Sequence, residues 1–237
     1  MALSMQPPWE YRGSHQLLDQ LNRNLVAMGV AGFSYHFSWP FHVQNDPSAE
    51  IAIFGYNSDW MALYRNPDVR AHDPFPQIAA ETGRPVIFSE ETRKGKMSLK
   101  QRDYLRQSLR YHRRDGIGFL VHGPYGHEAY CSVAYEKMVE DRELLQFPTI
   151  EKLVKNTHVT IVNNVVEAER QRIALSKREL EVLQCIAHSQ SNKMIAARLN
   201  ISPGTVDTYV RRVFEKLDAN DRIEAILNAL CVGLIHL

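Results

Sequence analysis

A chain of 237 residues, 44% hydrophobic and 23% charged, has length for two modest domains at about 150 residues per domain. Its composition is that of ordinary globular protein and excludes a disordered or fibrous chain. With 28 basic against 27 acidic side chains the net charge is +1, so any case for nucleic acid has to come from a local motif.

No apolar run reaches the roughly 18–20 residues of a membrane helix, and the start lacks the basic and apolar regions of a signal peptide. Cys131, Cys185 and Cys231 are widely spaced, which fits neither a disulfide framework nor a zinc cluster and suits a reducing cytoplasm. Nothing in the pattern implies a metal or a cofactor.

Ser14 is the expected cap of a first helix carrying Leu17, Leu18, Leu21, Leu25 and Met28, stopped by Gly29. Val30–Trp39, Glu50–Tyr56 and Arg84–Ser89 are the expected strands that follow. Ser98 with Gln101 predicts a capping box opening a helix that ends near Asp115–Gly116. Ile117–His122 and His127–Tyr135 then form a hairpin about Gly123-Pro124-Tyr125-Gly126. From Phe147 to about Arg170 the apolar spacing predicts one long amphipathic helix. The order implies an α/β domain with a central antiparallel sheet between helical layers. Arg110-Tyr-His-Arg-Arg114 reads as a solvated helix end, and His112, His122, His127 and His158 have no metal-ligand spacing.

All but one of the 11 prolines lie between Pro7 and Pro148, and the final third reads as four short helices. Ser176 with Glu179 and Asp221 with Glu224 are capping boxes, and Ser202–Pro203 pairs an N-cap with proline at the first helical position. In the third of these helices Val206, Val210, Val213, Phe214 and Leu217 share one face, while Thr205, Asp207, Thr208, Arg211, Arg212 and Glu215 project elsewhere. A short helix, a tight turn and such a second helix make a helix-turn-helix, whose second helix enters the major groove. A packing bundle with a solvated face is the alternative.

Residues 175–235 resemble the LuxR-type helix-turn-helix domain. The resemblance rests on Leu175-Ser-Lys-Arg-Glu179, Glu181-Val-Leu183, Ser191-Asn-Lys193, Ile195-Ala196, Leu199, Ile201-Ser202, Thr205-Val206, Lys216-Leu217, Asn220, Arg222, Ala225 and Gly233-Leu-Ile235. It implies base-facing positions at Asp207, Thr208 and Arg211, with Arg211 matched to guanine O6/N7 and Asp207 to a cytosine N4 amine. Thr205 joins the DNA-facing set, and Lys193, Tyr209 and Arg212 are its phosphate candidates. Ser189 replaces the usual glycine after the first helix, and Asp207 and Tyr209 replace the usual lysine and histidine. The weak local charge favours a homodimer on palindromic double-stranded DNA.

Residues 15–168 resemble, more loosely, the autoinducer-binding domain of LuxR-type quorum-sensing regulators, through Tyr56-x3-Trp60-x3-Tyr64-x8-Asp73-Pro74 and Gly116. The resemblance implies an N-acyl-homoserine lactone ligand. Trp60 would donate to its lactone carbonyl, Tyr56 to its acyl carbonyl, and Asp73 would accept from its amide. Ser132 would add a hydroxyl and Tyr64 would line the pocket. Phe88 stands where a second tryptophan is usual, which keeps open a LuxR-type solo regulator of a non-lactone signal. Aromatic core packing is the structural alternative, and a lactone hydrolase lacks a triad or metal set. The expected division is a ligand-binding domain over 1–170 with a dimerising helix at 147–170, a linker at 171–175, and a DNA-binding domain at 176–237.

Overall fold

The computed structural model describes residues 7–11, 13–38, 40, 50–111 and 115–236. Met1 to Gln6, Trp39 and the basic run from His112 to Arg114 lie outside the described residues. Two compact units divide at Val162 and Asn163, within a single helix.

In the first unit, five strands pair antiparallel in the order β2-β1-β5-β4-β3. They are β1 (Gly32–Ser38), β2 (Glu50–Phe54), β3 (Val86–Ile87), β4 (Asp115–His122) and β5 (Glu128–Tyr135). Side chains alternate across this sheet. Phe33, Tyr35, Phe37, Ile117, Phe119, Cys131 and Val133 share one face and are buried. This face meets the helical layer: Phe119 packs edge-on against Phe147, and Tyr35 Oη lies 2.7 Å from His158 Nδ1. Burial lowers His158 to about 4, so its imidazole is neutral. Its Nε2 faces the His127 carbonyl at 3.4 Å, so Nδ1 accepts from Tyr35.

The other face holds Ser34, His36, Gly116, Gly118, Tyr130, Ser132 and Ala134, paired as Ser34 with Ser132, His36 with Tyr130 and Gly118 with Ser132. Small residues there leave room. Around it stand α2 (Ser58–Arg65), α3 (Pro67–Arg70), α4 (Phe75–Thr82), α5 (Phe88–Arg93) and α6 (Leu99–Tyr111), while α1 (Ser14–Ala27) precedes β1.

Three local expectations need correction. Ser14 does not cap α1: it is the first helical residue, Gly13 at φ 74° takes the cap, and Ser14 Oγ is buried without a partner among the described residues. The strand expected over Arg84–Ser89 shrinks to Val86–Ile87. Asp115 accepts from Ser89 N at 3.0 Å and Ser89 Oγ at 2.7 Å, turning the chain into α5. The long helix α7 runs over Asp141–Ile173, with Pro148 inside it, so residues 171–173 of the expected linker are helical. The capping box at Ser98 and Gln101 forms in both directions.

The second unit packs α8 (Lys177–Ala187), α9 (Asn192–Leu199), α10 (Pro203–Leu217) and α11 (Arg222–Cys231) with the end of α7. Ile173 joins Leu183, Val213, Leu217, Ala225 and Val232 in one core cluster. Arg170 clamps that end, donating to the carbonyls of Val232 at 2.6 Å and Gly233 at 2.7 Å.

Candidate functional site: a tyrosine-rich cavity and a helix-turn-helix face

Between the pocket face of the sheet and α2, α4, α5 and α6 lies a cavity of about 570 Å³. Tyr56, Trp60, Tyr64, Asp73, Phe88 and Ser132 all line it. Asn57 caps α2 by accepting from Asp59 N at 2.8 Å, which starts the helix where Trp60 and Tyr64 fall on one face. Trp60 and Tyr64 are stacked with centroids 5.6 Å apart, and Tyr104 of α6 joins them.

Asp73 is the polar centre. Its Oδ2 accepts from Tyr64 Oη at 2.7 Å and Tyr104 Oη at 3.1 Å, and its Oδ1 from Phe75 N at 3.0 Å, the bond that opens α4. A carboxylate offers about four lone-pair sites, so these three donors leave one acceptor position. Burial raises Asp73 to about 6, against the pull of those hydrogen bonds. Burial and the neighbouring carboxylate raise the Tyr64 and Tyr104 phenols well above their ordinary value, which keeps both as donors.

A second polar strip crosses the sheet. Ser34 and Ser132 hydroxyls are 2.7 Å apart, and His36 Nε2 lies 3.1 Å from Ser34 Oγ. His36 is lowered to about 3 by burial and by the Arg70 charge, so it is neutral. Phe88 stacks on Phe75 with centroids 4.1 Å apart and lies so close to Gly116 that a Cβ there would meet its ring at 2.7 Å. The ring therefore forms an apolar part of the cavity wall, packed on one side by Phe75.

Tyr104, Tyr130, Ser34 and Asp115 are among the lining residues that went unnoticed in the sequence. Strand alternation offered a signal for Tyr130, two positions from Ser132 on one face. Asp115 offered none, because its partners, Ser89, Gly116 and Val139, are mostly distant in sequence.

In the second unit, α9 and α10 form the helix-turn-helix. Ser191 and Ser202 cap them, and Ser189, at φ 58°, takes the left-handed conformation in the turn before α9 where the resemblance expects glycine. Lys193, Asp207, Arg211 and Arg212 are exposed, while Thr205, Thr208 and Tyr209 are half-buried. Tyr209 packs on the cluster of Val182, Ile195 and Val206. Thr208 Oγ1 donates to the Gly204 carbonyl at 3.0 Å, and Arg211 lies 3.8 Å from Glu215. Asp207 accepts from Asn192, which in turn accepts from Arg222. The capping box expected at Asp221 is half-formed: Asp221 accepts from Glu224 N, but Glu224 accepts from Asn220 N.

Residues 13–155 match the family described as autoinducer binding domain, and residues 174–229 match the family of bacterial regulatory proteins, luxR family. Transcriptional activator protein CarR of Pectobacterium carotovorum is 25% identical over 94% of this chain and 93% of its own length. The quorum sensing-dependent transcriptional regulator RpaR of Rhodopseudomonas palustris is 25% identical over 77% of this chain and 74% of RpaR. Escherichia coli SdiA has the same fold, with a TM-score of 0.73 at 16% identity, covering 97% of this chain and 95% of SdiA. SdiA has also been solved in complex with octanoyl-rac-glycerol.

Proposed function

Because the chain belongs to the LuxR family of quorum-sensing transcription regulators with an autoinducer-binding domain, we propose that its cavity takes an N-acyl-homoserine lactone and that the occupied protein grips palindromic DNA as a homodimer. The observation that carries this reading is the imbalance of polar groups in the cavity. Tyrosine and serine hydroxyls outnumber the carboxylates Asp73, Glu90 and Asp115 in its lining. Asp115 is taken up by Ser89, Gly116 and Val139, while Asp73 keeps one acceptor position. An acyl-homoserine lactone has the complementary inventory, one amide N–H and several carbonyl oxygens on an apolar tail. Asp73 takes the amide, Tyr56 and Ser132 the acyl carbonyl, and Trp60 the lactone carbonyl. Phe75, Phe88 and Leu105 supply apolar wall.

At a hundredfold excess over Kd, a ligand bound only by the folded state stabilises it by about 2.7 kcal/mol. For a chain of this size that is a Tm rise of roughly 5–10 °C. Thermal unfolding of the full chain with long-chain lactones measures it, and no rise with any chain length overturns the lactone. A non-lactone signal is the second reading, favoured by Phe88 in place of the indole. Under it, an acylglycerol raises Tm where lactones do not, and mass spectrometry of the copurified molecule finds no lactone.

DNA binding falls to α9 and α10. Arg211 reads a guanine, and Lys193 and Arg212 hold phosphates. The helix over 147–170 pairs two copies, since one helix-turn-helix face offers few cations. Replacement of Arg211 by Ala is expected to cost about 1–3 kcal/mol on the operator and little on random DNA, whereas Lys193→Ala weakens both alike. Fluorescence anisotropy on the two DNAs separates them, and equal losses for Arg211→Ala refute its assignment. Cys131, Cys185 and Cys231 are buried free thiols, which suits a cytoplasmic protein.

A further inference from the structure

Tyr130 is 6% exposed and lines the cavity, yet its hydroxyl has no hydrogen-bond partner among the described residues. A buried hydroxyl without a partner is costly, so its position calls for a reason. The backbone provides the room for it. Gly118 faces Ser132 directly across the β4–β5 ladder, and the Tyr130 ring leans over that glycine, so a Cβ at Gly118 would run into Tyr130 Oη. The hydroxyl is thereby carried one strand across from Ser132, about 5 Å in backbone terms.

The ring is also tied into the polar centre. Its centroid lies 5.1 Å from that of His36, edge-on, and His36 lies 5.6 Å from Tyr64, whose hydroxyl donates to Asp73. Burial, then the charges of Asp73 and Tyr56, raise the Tyr130 phenol well above its ordinary value, so it remains a donor. In the proposed pose the amide meets Asp73 and the acyl carbonyl lies between Tyr56 and Ser132, groups that line the same cavity as this hydroxyl.

We propose that Tyr130 is a ligand-contacting, specificity-determining residue whose hydroxyl donates to a second oxygen on the acyl chain, a keto or hydroxyl group on carbon 3. The inference rests on the lactone reading of the cavity and adds to it the substituent selected. An unsubstituted methylene at that carbon leaves the phenol unpaired, so chain length alone does not determine recognition.

Calorimetric titration of the full chain with N-(3-oxododecanoyl)- and N-dodecanoyl-homoserine lactone tests it. Wild type is expected to bind the keto compound about tenfold tighter, the size of one net hydrogen bond. Tyr130→Phe is expected to lose that tenfold for the keto compound and to hold the plain one unchanged. Gly118→Ala, which displaces the hydroxyl without removing it, is expected to erase the same preference and keeps the test open should the Phe variant misfold. Equal affinities in wild type, or a Tyr130→Phe variant that weakens both compounds alike, overturn the role of Tyr130 alone. A wild type that binds neither overturns the lactone reading and this inference together.

Discussion

Raising the pH from 5 to 8 is expected to destabilise the unliganded protein through Asp73, and Asp73→Asn is expected to remove that component. Burial lifts the Asp73 carboxyl from 3.8 to about 6 despite its three hydrogen-bond donors. The folded chain thus holds this proton more tightly than the unfolded chain does. Its contribution is complete below about pH 4, is lost as pH rises through about 6, and leaves the folded state weaker by about 3 kcal/mol above that. His36 and His158 act in the opposite sense. Their folded values are lowered from 6.5 to about 3 and about 4, so their stability is present above 6.5 and falls away as they charge in acid.

The three terms overlap between pH 4 and 6.5, so the measurement is the difference between wild-type and Asp73→Asn Tm values across the range. A ligand amide at the remaining acceptor position favours the charged carboxylate. Lactone affinity is therefore expected to increase as pH rises through about 6, in wild type and not in the Asn variant. Superimposable pH profiles for the two proteins would remove Asp73 from this role. At neutral pH the empty cavity then holds an under-compensated charge that the ligand relieves, which gives the signal a direct hold on folding.

What was legible in the sequence was local. Ser176 and Ser202 announce the starts of α8 and α10 because a cap and its target lie within three residues. The hairpin and the alternation of β5 are equally short in range, and the four-residue spacing placed Trp60 and Tyr64 together. Contacts across long stretches of chain were not legible. Asp115 gathers Ser89 and Val139, and Tyr104 reaches Asp73 over 31 residues. The unused hydroxyl of Tyr130 depends on a glycine in another strand. Strand propensity at Phe88 and Ser89 pointed the wrong way, because two hydrogen bonds to Asp115 outweigh it. The end of α7 was also hidden: Arg170 finds its carbonyl partners at Val232 and Gly233, beyond the next four helices.

Removal of the Glu179 carboxylate is expected to be among the most damaging changes in the DNA-binding unit. Its Oε2 accepts from Ser176 N at 2.7 Å and from Lys216 Nζ at 2.7 Å, and Lys216 also donates to the Ala174 carbonyl at 3.0 Å. One buried oxygen therefore fastens the start of α8 to the last turn of α10, while the same lysine holds Ala174, whose φ of 42° turns the chain out of α7. Burial alone raises Glu179, but hydrogen bonds from Lys216 and Ser176 outweigh it and hold the carboxyl below its ordinary value. Its stabilisation is accordingly present at neutral pH and lost in acid.

Glu179→Ala breaks the capping box and strands Lys216. The cost is about 3 kcal/mol, the low end for removing one partner of a buried pair, because the lysine side chain is 37% exposed and stays partly solvated. Glu179→Gln, which retains an acceptor for Ser176 N, is expected to lose about 1 kcal/mol. Urea unfolding followed by helical circular dichroism ranks the three proteins. Since Glu179 is 3% exposed and lies outside α9 and α10, both variants are expected to weaken operator and random DNA in the same proportion. A changed base preference in either one would mean that the α8–α10 fastening also sets the angle of the recognition helix.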